Sequence, residues 1–161
     1  MTDKLILTMD ECLDDMRELA NKIRNTVGTF ECLVVGEPRG GLPVAVVLSH
    51  LLKCKMTSRQ MATSEYIISQ RPKVLVWCDD VIETGTTSSQ AYQHLRMPVD
   101  HIRIDRFIRC CWIDKRWSPG TERQNDVWTQ RYVDPQTWVV FPWEPIENVE
   151  KDKENFYAAR Q

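Results

Sequence analysis

Apolar and polar residues alternate from Lys4 to Thr8, a two-residue period that predicts a short strand. Asp10 then offers an N-cap, and Leu13, Met16, Ala20 and Ile23 recur at helical spacing, so a helix follows until Asn25 to Thr29, where Gly28 ends it. Glu31 to Gly36 (ECLVVG) is a short apolar strand broken by EPRGG. Leu42 to Leu52 follows as an apolar helix with Pro43 in its first turn, where the missing N–H does no harm. Cys54 to Met61 and Tyr66 to Ser69 read as a hairpin-like pair of extended segments. Lys73 to Cys78 is a continuous apolar strand of the kind buried on both faces of a parallel sheet. Ser88 to Arg96 predicts a helix stopped before Pro98. His101 to Ile113 is a long extended segment in which Ile102, Ile104 and Ile108 share a parity, and Asp114 to Asp126, containing WSPGTERQND, is a polar, turn-rich loop. Tyr132 to Val133 and Thr137 to Phe141 are short late strands before PWEP. The charged tail from Ile146 to Gln161 predicts a surface helix or a partly frayed segment.

Strand, helix, strand, helix, then strands with one more helix is the order of an α/β protein with a mostly parallel twisted sheet flanked by helices. No repeat or linker divides the sequence, so residues 1–161 read as one domain. In such sheets ligands bind outside the carboxyl ends of the strands. That rule brings EPRGG and DDVIETGTT, each directly after a buried strand, to the mouth of one crevice.

Composition narrows the classes without naming a function. With 42% hydrophobic and 27% charged residues the chain is neither disordered nor fibrous. A formal net charge of −2 and a pI near 5.9 supply no basic footprint for nucleic acid. The six cysteines form no CxxC pair or zinc spacing, and several lie in apolar runs, as in reduced cysteines of a cytosolic protein. MTDKLILTMDE lacks the pattern of a signal peptide, and no stretch approaches the ~20 apolar residues of a membrane span. A soluble, cytoplasmic protein is the expectation.

Chemistry concentrates in VLVWCDDVIETGTTSSQ, Val74 to Gln90. A strand that delivers Asp79 and Asp80 together holds two carboxylates suited to ribose hydroxyls or to Mg²⁺ and its water shell. Val81 and Ile82 can turn back into the core, and Glu83 follows. Thr84, Gly85, Thr86 and Thr87 then offer successive N–H groups and hydroxyls at a helix N-terminus, an anion site for a phosphate monoester. Carboxylates beside amides describe a sugar-phosphate pocket. Two other readings suit parts of it: paired Asp residues also occur in Mg²⁺-binding receiver domains, and TGTT also serves as a plain helix cap. A receiver would need a phosphoacceptor Asp after another strand, and the earlier strand ends in Gly36 and Glu37. No Walker A sequence is present.

VWCDDVIETGTT resembles the phosphoribosyl-diphosphate (PRPP) binding motif of type I phosphoribosyltransferases: a hydrophobic strand, two acidic residues, two aliphatics, an acidic residue, Thr-Gly and a Thr-containing turn. Glu83 stands where that family usually has Asp, and its carboxylate reaches about one methylene farther. VVGEPRGGLPVAVVLSHLL is similar to the family's pyrophosphate loop, with Arg39 supplying charge and Gly40 and Gly41 letting backbone amides approach the anion. Alone, the Arg-Gly-Gly sequence is also a tight turn. In this family the peptide at that arginine is often cis, which implies Pro38–Arg39 here. DPQTWVVFPWE, Asp134 to Glu144, is similar to the base-binding end of bacterial xanthine-guanine phosphoribosyltransferases, as are Met9 and Asp10 near the start.

The resemblance spans roughly residues 4 to 144 and implies the type I phosphoribosyltransferase fold, with residues 114–144 as a base-binding hood and 146–161 as a tail. It implies transfer of 5-phosphoribose from PRPP to guanine, xanthine or hypoxanthine with Mg²⁺, in a dimer or tetramer. PRPP would meet Arg39, Gly40, Gly41, Asp79, Asp80, Glu83, Thr84, Gly85, Thr86 and Thr87, with Asp80 toward the metal and Glu83 and Arg39 catalytic. Lys115 would donate to the purine 6-oxo group, which suits a side chain that only donates. Trp138 would cover the ring and Val139 offer backbone polar groups to its edge. Taken singly, Lys115 also reads as a solvated loop lysine and Trp138 as core. The segment between Met61 and Lys73 is shorter than the loop that usually closes this family's site, and the Asp114 to Asp126 loop is longer, an alternative lid. Trp112, Trp117 and Trp128 read as exposed interface residues. A non-catalytic nucleotide sensor on the same fold, binding RNA, DNA or a protein, is the competing function.

Overall fold

The computed structural model describes residues 4–28, 31–96, 104–117 and 127–145, together with Glu154 and Ala158. The elements run β1 (Lys4–Ile6), α1 (Met9–Val27), β2 (Cys32–Gly36), α2 (Gly41–Leu52), β3 (Lys55–Ser58), α3 (Ser64–Gln70), β4 (Val74–Ile82), α4 (Thr86–Arg96), β5 (Arg106–Asp114), β6 (Trp128–Tyr132) and β7 (Trp138–Val140). Five strands form an all-parallel sheet in the order β3-β2-β4-β5-β6, and β1 pairs with β7 in a second, two-stranded parallel sheet.

Alternation along the central strands feeds two cores. Val34, Val76, Cys78, Cys110 and Trp112 face one side, where Met16, Leu19, Ile23, Val44 and Leu48 of α1 and α2 cover them. Leu33, Val35, Leu75, Trp77 and Cys111 face the other, against Ile67 of α3 and Ala91 and Leu95 of α4. A strand buried on both faces explains the unbroken apolar run before Asp79. The chain leaves β2 toward one sheet edge and returns at β4 on β2's other side, so the topological switch point lies between the carboxyl ends of β2 and β4.

Several local expectations change. Thr8, not Asp10, caps α1: its hydroxyl accepts from Glu11 N while Glu11 returns a bond to Thr8 N, a reciprocal box that Asp10 cannot form. The proposed hairpin of Cys54 to Met61 with Tyr66 to Ser69 is absent. The first part is the parallel edge strand β3 on β2, and the second is helix α3, started by the Thr63 hydroxyl accepting from Tyr66 N. Ile67 is the buried anchor of that helix, so one apolar side chain on a capped turn outweighs the strand preference of Tyr66 and Ile68. Ile104 and Ile108 pack on opposite faces because Ile104 precedes β5 and is outside its period; Ile102 lies outside the described residues. Trp112 is fully buried, donating its Nε1–H to Asp15 at 2.6 Å, so it is not an interface tryptophan; Trp117 and Trp128 are half-buried. Residues 118–126 of the alternative lid, and the tail apart from Glu154 and Ala158, lie outside the described residues. All six cysteines are free.

Candidate active site

Strand β4 does not stop at Cys78 but continues to Ile82, so Asp79 and Asp80 project from a strand paired with β5 (Asp79 opposite Cys111). Each carboxylate folds onto the next amide: Asp79 Oδ1 accepts from Asp80 N at 2.9 Å and Asp80 Oδ1 from Val81 N at 2.8 Å. Asp79 is buried, and burial, reinforced by the neighbouring Asp80 charge, pushes its carboxyl up to about 9; burial raises Asp80 as well. Two desolvated carboxylates with hard oxygens are poised to bind hydroxyl donors or a cation.

The Arg-Gly-Gly turn lies directly against them. A Cβ on Gly40 would sit 1.9 Å from Asp80 Oδ2, and one on Gly41 would sit 2.5 Å from the Cys78 carbonyl oxygen and 2.9 Å from Asp79 Cα. Only glycine permits this approach. The Pro38–Arg39 peptide is cis, and Arg39 itself is exposed on the turn. Gly36 is equally constrained, its Cβ position lying 2.8 Å from Ala45 Cβ, which sets α2 close to β2.

Beyond β4, Glu83 to Gly85 form a bend before α4, with Gly85 at φ 84°, in the left-handed region that favours glycine. Thr84 Oγ1 accepts from Thr86 N at 3.3 Å and donates to the Thr86 hydroxyl at 3.0 Å. Thr84, Thr86 and Thr87 are exposed, so the start of α4 faces solvent, where an anion can reach it. Asp79, Val81, Ile82, Glu83, Thr84, Gly85, Thr87 and Ser88 line a cavity of about 270 Å³.

A second, smaller cavity of about 140 Å³ adjoins it, lined by Asp80, Val81, Glu83, Lys115, Trp138, Val139, Phe141 and Glu144. Lys115 is no solvated loop residue: it is 3% exposed, follows β5, and its Nζ pairs with Glu83 Oε1 at 3.1 Å. Register explains its position, because Lys115 N donates to the Ile82 carbonyl at 2.8 Å and so ends β5 level with Glu83. Trp138 is half-buried and Val139 buried, both carried by β7. Of the sequence-selected residues, Asp79, Glu83, Thr84, Gly85 and Thr87 line the larger cavity and Asp80, Glu83, Lys115, Trp138 and Val139 the smaller, the two sharing Val81 and Glu83; Arg39, Gly40, Gly41 and Thr86 line neither.

Three neighbours escaped the sequence. Glu144 accepts from Phe141 N at 2.8 Å and closes the small cavity; its PWE context was the available signal. Asp114 and Arg116 form a buried pair at 2.7 Å, and Arg116 Nη1 would lie 3.4 Å from a Cβ on Gly85. Nothing in DKR distinguishes that arginine from a solvated one.

No protein-family model matches the sequence, and no curated protein matches it either. Solved structures do match. A hypothetical protein from Neisseria gonorrhoeae with bound ppGpp superposes with TM-score 0.68 at 14% identity, covering 99% of this chain and 98% of that one. A purine phosphoribosyltransferase from Pyrococcus horikoshii gives 0.65 at 22% identity over 89% and 95%. The xanthine-guanine-hypoxanthine phosphoribosyltransferase of Helicobacter pylori gives 0.65 at 16% identity over 98% and 99%. With its parallel sheet, switch-point site and flanking helices, the chain has the type I phosphoribosyltransferase fold.

Proposed function

We propose that this chain transfers 5-phosphoribose from PRPP to a ring nitrogen of a 6-oxopurine, releasing pyrophosphate, as a purine-salvage enzyme. One observation carries the proposal: a cavity bordered by Asp79, Thr84, Gly85 and Thr87 adjoins a small cavity bordered by Lys115, Trp138 and Val139, and Glu83 borders both. A sugar phosphate and a flat heterocycle with a carbonyl have complementary places, and the bond between them would form beside Glu83.

The reaction builds positive charge on the sugar carbon as pyrophosphate leaves, so positioning and charge stabilisation dominate. Thr84, Gly85, Thr86 and Thr87 hold the 5′-phosphate through hydroxyls and helix-start amides. Asp79 and Asp80 hold the ribose hydroxyls. Arg39 meets the departing pyrophosphate beside the backbone of Gly40 and Gly41. Lys115 donates to the purine 6-oxo group, Trp138 covers the ring, and Val139 presents its backbone to the ring edge. Glu83 accepts the purine proton, and its ion pair with Lys115 couples proton acceptance to recognition of the carbonyl.

Asp80, with Asp79 beside it, fits Mg²⁺: both are hard oxygen donors set side by side near the end of one strand, and burial favours their binding a proton or a cation. Mg²⁺ at this place would be held by one or two carboxylates and otherwise by substrate oxygens and water. When bound, the ion would neutralise charge on the pyrophosphate.

Titration calorimetry with PRPP and Mg²⁺ on the wild type and on Asp80→Asn tests the sugar-phosphate half. Binding that Asp80→Asn loses is expected; no heat with the wild type at millimolar PRPP removes the proposal.

A nucleotide sensor on the same fold is the second reading, favoured by the Neisseria structure, which holds ppGpp. Binding of such a nucleotide, or of RNA or DNA at physiological salt in a filter assay, without turnover of PRPP would select it. No helix among the described residues is long and apolar enough to cross a membrane. We place the enzyme in the cytoplasm, working on small molecules as a dimer or tetramer.

A further inference from the structure

The turn that carries Arg39 is anchored by side chains outside both cavities. Glu37, the residue after β2, is only 6% exposed, and both its carboxylate oxygens accept from Arg59 Nε, at 2.6 and 2.9 Å. One of them also accepts from Trp77 Nε1 at 3.1 Å. The Glu37 N–H donates to the Cys78 carbonyl and the Arg59 N–H to the Gly36 carbonyl, each at 2.9 Å. The ends of β2 and β3 and the middle of β4 thus meet at one carboxylate, and the Pro38–Arg39 peptide follows it directly.

A carboxylate at this position is unexpected in a turn that would receive pyrophosphate, because like charge disfavours the ligand. The geometry removes the conflict. Glu37 turns to the sheet face of Trp77, which is fully buried among Leu33, Val35, Ile67 and Leu75, while Gly40 and Gly41 turn to Asp80 and Cys78. Arg59 balances the charge locally, so the Glu37 negative charge is matched by Arg59 and Arg39 remains for the ligand.

We propose that Glu37, Arg59 and Trp77 form a brace that positions the Glu37–Gly41 turn for pyrophosphate, with Arg59 as the positioning residue that sets the affinity of the site. The brace rests on the reading of this turn as the pyrophosphate subsite. Without Arg59, a nearly buried carboxylate keeps one side-chain donor, and it either takes up a proton or swings toward water and carries the turn with it.

Arg59→Met, Arg59→Lys, Glu37→Gln and the double variant Glu37→Gln/Arg59→Met test the brace. Pyrophosphate affinity is read by calorimetry with Mg²⁺, and KM for PRPP and for purine is read in steady state. Arg59→Met should weaken pyrophosphate and raise the PRPP KM about tenfold, while the purine KM stays within about twofold. Arg59→Lys, which keeps the charge, should recover most of the loss. Glu37→Gln added to Arg59→Met should also recover part of it, because the amide needs no counter-charge. If Arg59→Met does not fold, Glu37→Gln carries the readouts: losing its ion pair with Arg59, it should weaken pyrophosphate and raise the PRPP KM while the purine KM stays within about twofold, and no change in any of them overturns the brace. Equal pyrophosphate affinity in wild type and Arg59→Met, or equal changes in the PRPP and purine KM values, overturns the brace alone. A wild type that binds neither pyrophosphate nor PRPP removes the subsite and the brace together.

Discussion

Gly40 and Asp80 are in such close contact that a single methyl group on the glycine would fall 1.9 Å from Asp80 Oδ2. Two motifs separated by helix α2, strand β3 and helix α3 are thereby fitted to each other, with the turn after β2 shaped around the carboxylate near the end of β4. Glycine here serves the site more than the fold.

Gly40→Ala and Gly41→Ala should accordingly behave differently. At Gly40 the obstacle is a carboxylate that can swing aside, so the protein should remain folded while PRPP binding weakens by about tenfold or more. At Gly41 the added atom meets the Cys78 carbonyl and the Asp79 backbone, which cannot swing, so a loss of about 1–3 kcal/mol in stability is expected. Urea denaturation beside PRPP titration separates the two cases.

Lys115 and Glu83, paired at 3.1 Å, should not act independently. Glu83→Gln is expected to lower turnover at least about tenfold with little change in PRPP binding, and Lys115→Ala to raise the purine KM. The double variant should lose less than the product of the two single losses, since each single change already disrupts the pair. Wild-type turnover in Glu83→Gln removes that residue from the mechanism, and an unchanged purine KM in Lys115→Ala removes the lysine from recognition.

Asp79 makes the ligand-free protein sensitive to pH. Its folded carboxyl is raised from 3.8 to about 9, chiefly by burial, so its neutral form is the one the fold prefers. The associated stability is fully present below the ordinary carboxylate value and is lost as pH rises through about 9. Asp79→Asn, which cannot ionise, should therefore gain in Tm relative to wild type as pH is raised from acid to alkaline. A difference that stays constant with pH would show that Asp79 ionises as freely folded as unfolded.

Thr8→Ala should destabilise the protein by about 1 kcal/mol, the usual value of a helix cap, because Glu11 loses its reciprocal partner. Asp10→Ala should be nearly silent by the same denaturation measurement.

Much of the site was legible because its residues are adjacent in sequence. The run from Val74 to Thr87 carries its geometry in its order, since a doubly buried strand must end at the sheet edge and a Gly-Thr bend must start the next helix. Arg39, Gly40 and Gly41 were legible for the same reason. What stayed hidden depends on register between distant segments. The pairing of Lys115 with Glu83 follows from where β5 lies against β4, and burial of Trp112 follows from Asp15 on α1. Glu37 looked like part of a polar turn, yet Arg59 just past β3 and Trp77 on β4 fix it. The helix at Ser64–Gln70 was misread because Tyr66, Ile67 and Ile68 favour strands when taken singly, whereas the Thr63 cap and one buried contact decide the local structure.

The most direct measurement is an incubation with PRPP, Mg²⁺ and guanine, xanthine, hypoxanthine or adenine, read as nucleotide and pyrophosphate formed. At least one 6-oxopurine should give nucleotide and pyrophosphate in equal amounts, and adenine, whose 6-amino group cannot accept from Lys115, should give none. Absence of nucleotide with all three 6-oxopurines, from folded protein and saturating PRPP, would contradict the assignment.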